Sequence, residues 1–284
     1  MPLYCVMNIG AHVSASGGLW EAPANAAALG CETFQFFSRP PQGGIAKPIA
    51  EATADRFRKA LKSAKIASCY IHAPYVLNLA SSSDRIFHTS ISLIRQELER
   101  GSLLGCQAVM FHPGSAKDLE KKEGIKQVMK GLNEILNGYD GSCQLLIEIS
   151  AGAGAVMGDS FEEVAAFING AERGKEIGVC FDTQHAFASG YDLRTNEGLE
   201  AVLKAFDKLI GLKKLIVFHV NDSKIKLGGR RDRHEHLGKG EMGKSAFQAL
   251  IQHPKLQKKD MIIETPFDSG REEDIALLKS FRKV

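Results

Sequence analysis

The chain has 284 residues, 44% of them hydrophobic, and a formal net charge of +3. That length can bury a large core and fits one α/β barrel as well as two smaller domains, whereas so small a charge does not by itself identify a nucleic-acid partner. The six cysteines form no Cys-x-x-Cys pair, the first 20 residues contain no Lys or Arg, and no apolar run reaches the roughly 18 residues that a membrane helix needs. We therefore expect a soluble, cytoplasmic protein with reduced thiols and no membrane partner.

Eight short apolar runs, typical of β-strands, recur along the chain with helical stretches between them. They cover residues 6–10, 32–37, 68–72, 108–112, 145–149, 178–182, 215–220 and 261–264. Because the runs are too apolar to leave one face in water, this alternation predicts a parallel sheet covered by helices. We predict one closed (β/α)8 TIM barrel over residues 1–284 as a single domain, with an open doubly wound sheet as the alternative.

Four cysteines mark the same repeat. Cys69, Cys106, Cys143 and Cys180 recur at a constant step of 37 residues, a length that matches one strand plus one helix. We interpret them as small buried residues at the bottom of a barrel, and not as a thiol site.

Side chains able to bind metals stand where the apolar runs end. The third to eighth runs each end at or beside such a residue, and neighbouring turns and loops add three more. The nine candidates are His72, His112, Glu148, Asp182, His185, His219, Asp232, His234 and Glu264. A parallel barrel collects the carboxyl ends of its strands on one face, so we expect the nine side chains to meet there.

The composition of this set favours a metal centre. A single His or Glu at a strand end is more often structural, but several carboxylates on one rim would repel one another unless cations neutralised them. Mixed imidazole and carboxylate ligands suit zinc, with manganese or iron possible at some sites, and nine ligands are enough for three ions. His12, at the end of the first strand, is expected either to support a ligand or to be structural, and His236 is a further candidate for support.

A basic segment flanks two of the candidate ligands. Residues 222–239 carry a net charge of +3, and Lys224, Arg230, Arg231 and Arg233 surround the Asp232 position. A solvated loop could have the same composition, but cations beside a metal cluster suit a phosphodiester backbone. This favours a phosphodiester substrate over a neutral sugar, and we predict that these four residues contact its backbone.

Several motifs carry a resemblance to a known family. They are Gly10-Ala11-His12-Val13-Ser14, His72-Ala73-Pro74-Tyr75, His112-Pro113-Gly114, Asp182-Thr183-Gln184-His185, His219-Val220-Asn221-Asp222, Asp232-Arg233-His234 and Glu264-Thr265-Pro266. In order and spacing, from residue 9 to about 266, the sequence resembles the endonuclease IV family of apurinic/apyrimidinic endonucleases.

The resemblance implies a base-excision-repair enzyme with three zinc ions on a TIM barrel. Such an enzyme cuts duplex DNA on the 5′ side of an abasic nucleotide, leaves a 3′-hydroxyl and a 5′-deoxyribose phosphate, and acts as a monomer. The family resemblance implies that the first ion would be held by His72, His112 and Glu148. The second would be held by Glu148, Asp182, His219 and Glu264, and the third by His185, Asp232 and His234. Glu148 would also orient the attacking water and is the predicted catalytic residue.

The loop after the second strand departs from the family pattern. Gln42 and Gly44 stand where the family has Arg and Trp in a loop that enters the duplex. We predict DNA contacts from Gln42, and from Arg39 as a partial substitute for the missing arginine. Tyr75 and Val76 are the predicted wedges into the base stack.

Two other functions compete with the nuclease. Sugar isomerases and epimerases of related barrels also gather His, Asp and Glu around divalent ions, although they do not need the additional Asp232 and His234 pair. A protein that binds damaged DNA without cutting it is the third hypothesis, and the nine intact ligand positions argue against it.

Overall fold

The computed structural model describes residues 7–44 and 46–282. Eight parallel strands close into a barrel in which each strand pairs with its neighbours in the chain, and the last pairs with the first. The strands are β1 (Ile9–His12), β2 (Thr33–Phe36), β3 (Ser68–His72), β4 (Ala108–Phe111), β5 (Gln144–Glu148), β6 (Gly178–Asp182), β7 (Leu215–His219) and β10 (Asp260–Ile263). A short antiparallel hairpin of β8 (Asp222–Ser223) and β9 (His234–Glu235) lies between β7 and β10. The predicted TIM barrel is confirmed, and the open sheet is excluded.

Helices cover the outside of the barrel. They are α1 (Glu21–Ala28), α2 (Glu51–Ser63), α3 (Asp84–Leu104), α4 (Lys121–Leu136), α5 (Phe161–Gly170), α6 (Thr183–Ala188), α7 (Asn196–Leu209), α8 (Lys244–Gln252) and α9 (Gly270–Ser280). Local signals set their ends: the Ser160 hydroxyl accepts a hydrogen bond from the Glu163 amide at the start of α5, and Gly105 ends α3 in the left-handed conformation. Among the described residues, no helix is long and apolar enough to cross a membrane.

The first strand differs from its predicted position. It covers Ile9–His12 instead of residues 6–10, and Val6 lies outside the described residues. Hydrogen-bonded register decides the position, because Gly10 pairs with Thr33 on one side and with Ile262 on the other. A Cβ at Gly10 would lie 1.6 Å from the Thr33 carbonyl oxygen, so only glycine permits this close approach.

The core has two layers. A small cluster inside the barrel contains Cys180 together with Tyr70, Ala108, Met110, Leu146, Val217 and Ile262. A much larger one fills the space between strands and helices, and it includes Cys69, Cys106 and Cys143. All four cysteines of the repeat are buried, as the sequence predicted, and burial raises the pKa of the Cys106 thiol. Cys180 is more than a packing residue, because its sulfur lies within 4.8 Å of ligand-type atoms of Glu148 and His219.

Candidate metal centre

The nine candidate ligands meet at the carboxyl ends of the barrel strands. Three groups of side chains bring one nitrogen or oxygen atom each to within 4.8 Å of one another. These groups are His72–His112–Glu148, Glu148–Asp182–His219–Glu264 and Asp182–His185–His234. The ninth residue, Asp232, is 58% exposed, and its carboxylate oxygens lie 3.3 Å from the Nε2 atoms of His185 and His234. Asp182 thus belongs to both the second and the third group, whereas the family resemblance assigned it only to the second ion.

Glu148 lies at the centre of the arrangement. It ends β5, is fully buried, and directs Oε2 to within 3.1 Å of His72 Nε2 and 3.7 Å of His112 Nε2. Its Oε1 atom is 3.0 Å from Nδ1 of His219. Burial acts to raise the pKa of Glu148, but the surrounding imidazoles, His112 and His219 first among them, outweigh it and hold that pKa well below its usual value. The carboxylate is therefore ionised and faces two ligand groups at once.

Backbone carbonyls orient three of the imidazoles. His72 donates Nδ1–H to the Ala73 oxygen at 2.7 Å, His185 to the Ile149 oxygen at 3.0 Å, and His234 to the Glu264 oxygen at 3.1 Å. A neutral imidazole that donates from Nδ1 carries its lone pair on Nε2. The Nε2 atoms of the three rings face the site, and those of His185 and His234 lie only 3.4 Å apart.

This donor set fits divalent cations. Lone pairs that face carboxylates and one another repel unless a positive charge lies between them. Burial lowers the pKa of His185, but the carboxylates of Asp182 and Asp232 outweigh it and raise that pKa well above its usual value. A proton on the His185 ring can supply that positive charge, and a bound cation would displace it. Mixed nitrogen and oxygen donors are typical of zinc sites.

Two buried amides hold the carboxylates, and the sequence prediction missed both as supporting residues. Asn221 donates from Nδ2 to Asp182 Oδ2 at 2.7 Å and accepts from the Glu264 amide at 2.7 Å. Gln35, in the middle of β2, donates from Nε2 to Glu264 Oε1 at 2.7 Å. The available signal was a polar amide within or beside an apolar run, because such a residue is buried only with hydrogen-bond partners.

The predicted wedges lie on the rim beside this site. Tyr75 and Val76 are 64% and 50% exposed, and they line a cavity of about 390 Å³ together with His112, His185 and Asp232. The Tyr75 ring packs 5.3 Å from the ring of Phe37, measured between centroids. Two large side chains therefore project next to the ligand groups.

The structure of the loop after β2 contradicts the predicted DNA contact of Arg39. Arg39 is buried and forms an ion pair with Glu97 of α3, and its guanidinium also donates to the Gln96 side chain at 3.2 Å. It is therefore not available to a DNA phosphate, because burial and a charged partner already satisfy it. Gln42, three residues further along, is exposed, and its contact with DNA stays a prediction.

The two histidines proposed as supports for the ligands differ in their contacts. His12 lies beside the ligands: its Nδ1 is 2.9 Å from Gln35 Nε2 and 3.7 Å from Glu264 Oε1. The expectation that His236 supports a ligand is wrong. Its Nδ1 hydrogen-bonds Asp274 Oδ2 at 2.7 Å, and its Nε2 lies 3.0 Å from Asp268 Oδ1. These contacts connect the loop after β9 to α9 and to the segment that precedes it.

The basic segment is exposed at the same end of the barrel. Lys224, Arg230, Arg231 and Arg233 are all exposed. Arg230 also braces a neighbouring loop, since it forms an ion pair with Asp159 and donates to the Gly152 carbonyl at 2.9 Å. The segment therefore presents cationic side chains next to Asp232 and His234.

Comparison with known proteins links this geometry to a family. The family model described as xylose isomerase-like TIM barrel matches residues 23–281. The probable endonuclease 4 of Halothermothrix orenii is 37% identical over 277 residues, covering 98% of this chain and 100% of that protein. The probable endonuclease 4 of Campylobacter curvus is 39% identical over 278 residues, covering 97% and 98%.

Solved structures give the same relationship. Endonuclease IV from Thermus thermophilus superposes with a TM-score of 0.84 at 30% identity, covering 96% of this chain and 98% of that one. A D-tagatose 3-epimerase-like protein superposes with a TM-score of 0.72 at 20% identity, with 97% of each chain covered. The second likeness extends to the fold alone.

Proposed function

The chain belongs to the endonuclease IV family of apurinic/apyrimidinic endonucleases, and from that membership we propose that it incises duplex DNA with three zinc ions. The bond cut is the phosphodiester 5′ to an abasic nucleotide, and the products are a 3′-hydroxyl and a 5′-deoxyribose phosphate. The protein acts as a monomer in base excision repair. The observation that carries the proposal is the convergence of the candidate ligands into three adjoining groups. Two of these groups share the buried Glu148 carboxylate, and Asp232 lies beside the third.

In this proposal the first ion would be held by His72, His112 and Glu148, and the second by Glu148, Asp182, His219 and Glu264. The third would be held by His185, Asp232 and His234. When bound, such ions act as Lewis acids on phosphoryl oxygens and make water more acidic, and manganese or iron can replace zinc at some sites.

The side chains of the protein supply orientation and binding. Glu148 accepts a hydrogen bond from the attacking water and directs it toward phosphorus, because its two oxygens face both neighbouring ligand groups. The guanidinium groups of Arg231 and Arg233 neutralise phosphates of the DNA backbone. Tyr75 and Val76 insert beside the abasic nucleotide, where the missing base makes unstacking least costly.

A cleavage assay tests this function. The substrate is a 5′-labelled duplex with one synthetic abasic site, compared with the same duplex without the lesion. We expect the zinc-loaded protein to produce one labelled fragment that ends in a 3′-hydroxyl on the 5′ side of the lesion. Glu148→Gln should abolish the cut while the circular dichroism spectrum stays unchanged. Glu123→Gln, which changes an exposed glutamate of α4 in the same way, should cut normally.

Other outcomes would contradict the proposal. A zinc-loaded protein that leaves the abasic duplex intact but epimerises a keto sugar would be an isomerase-type enzyme. Tight binding of the duplex without scission would make it a binding protein. Full activity of Glu148→Gln would remove Glu148 from the catalytic step.

A further inference from the structure

A buried glutamine touches three functional side chains at once. Gln35 lies on β2, is fully buried, and belongs to none of the three ligand groups. Its Oε1 is 2.6 Å from Nε2 of His219, and its Nε2 is 2.7 Å from Oε1 of Glu264 and 2.9 Å from Nδ1 of His12. Both the oxygen and the nitrogen of the Gln35 amide therefore form hydrogen bonds within the site.

The surroundings permit only one orientation of this amide. The Glu264 carboxylate can only accept hydrogen bonds when ionised, so the NH2 end of Gln35 must face it. In the proposed site Glu264 binds a cation, and a carboxylate that does so is deprotonated. Rotating the amide by half a turn would set two acceptors against each other there. The oxygen end of Gln35 must consequently face His219.

This orientation determines the tautomer of His219. An amide oxygen at 2.6 Å requires a proton on Nε2. The lone pair of the neutral ring is then on Nδ1, which lies 3.0 Å from Glu148 Oε1, 3.0 Å from Glu264 Oε2 and 3.8 Å from Asp182 Oδ2. The other three oriented imidazoles donate from Nδ1 and present Nε2, so His219 is the opposite case and needs a different partner.

We infer that Gln35 is a positioning residue for the second ligand group: it selects the Nδ1-presenting tautomer of His219 and fixes the Glu264 carboxylate beside it. The inference rests on the proposed function, since it concerns how the same site binds its second ion. Partners in the shell around a ligand change metal affinity by about 10- to 100-fold when they are removed. We therefore expect Gln35 to affect one ion and to leave the other two unchanged.

A zinc-binding measurement tests this role without DNA. The proteins are wild type, Gln35→Leu, Gln35→Glu and, as a matched control, Gln248→Leu at an exposed position of α8. Each is stripped of metal and titrated with zinc against a chromogenic chelator. We expect Gln35→Leu to bind one equivalent about 10- to 100-fold more weakly than wild type, and Gln248→Leu to match wild type in all equivalents.

A spectroscopic readout identifies the tautomer directly. In the zinc-loaded wild type, ¹⁵N-labelled histidine should show a protected Nε2–H at His219, assigned by its absence in His219→Asn. Gln35→Leu should lose that protection. Gln35→Glu should keep it, because a carboxylate oxygen still accepts from Nε2–H.

The possible results separate this inference from the proposed function. If wild type binds zinc and Gln35→Leu binds it equally well, Gln35 is a packing residue and the inference is wrong, even where the variant melts at a lower temperature. An unchanged Nε2–H signal in Gln35→Leu would overturn it as well. Failure of the wild type to cut abasic DNA would instead refute the proposed function.

Discussion

We predict that the buried ion pair between Arg39 and Glu97 anchors the loop at residues 38–44 and stabilises the fold. The side chains are 1% and 0% exposed, and Glu97 also accepts from the Ser38 hydroxyl. Replacing Arg39 with Met would leave a buried carboxylate without its main partner, a change that typically costs about 3–5 kcal/mol. Arg100 remains 3.8 Å from Glu97, so we expect a loss near the lower limit, about 3 kcal/mol.

Equilibrium unfolding in urea measures this loss. Arg39→Met and Glu97→Leu should each lower the free energy of unfolding by about 3 kcal/mol, and the double variant should recover to within about 1 kcal/mol of wild type. In the same variants, the slope of log affinity for DNA against log salt concentration should not change. Arg231→Gln, which removes an exposed arginine, should reduce that slope by about one.

Two results would refute this reasoning. Arg39→Met with wild-type stability would show that the pair is not a structural anchor. A salt slope reduced by about one in a stable Arg39→Met variant would restore the original prediction that Arg39 contacts a DNA phosphate.

Two further predictions concern the basic loop and the closure of the barrel. Asp222 is fully buried and accepts hydrogen bonds from four backbone amides within 223–242, so Asp222→Ala should lower the free energy of unfolding by about 2–4 kcal/mol. The variant should also lose the zinc equivalent bound by Asp232 and His234, and unchanged zinc content would contradict that link. Glu32 pairs with Arg282, and although burial acts to raise the pKa of Glu32, Arg282 outweighs it and lowers that pKa. A lowered carboxyl pKa stabilises the fold above the unfolded value of about 4.3, and this contribution disappears as pH falls through the folded pKa. The Glu32 side chain is 35% exposed, so Glu32→Gln should cost about 1 kcal/mol at pH near 7, and the cost should shrink steadily as the pH is lowered below about 4.3. A cost that does not change as the pH is lowered would refute the assignment.

The barrel and the convergence of its candidate ligands could be predicted because they depend on short-range patterns. Each apolar run is visible in the sequence, and a parallel barrel places the end of every strand on one face whatever its loops do. For this reason the positions of His72, His112 and Glu148 followed from the strand ends alone. The closed barrel is confirmed by the strand pairing.

The details that could not be predicted depend on pairs far apart in the chain. Arg39 has the composition of a DNA contact, and only the packing of α3 brings Glu97 to it across 58 residues. The role of Gln35 requires His219 and Glu264, which lie 184 and 229 residues away. The position of β1 follows from its register with two neighbouring strands, and the apolar run alone does not define that register.

Anomalous diffraction at the zinc absorption edge tests the central claim most directly. Crystals of zinc-reconstituted protein should give three anomalous peaks at the carboxyl ends of the strands, with Glu148 contacting two of them. An anomalous map with no peak among these imidazoles and carboxylates, at full zinc occupancy elsewhere on the protein, would contradict the account.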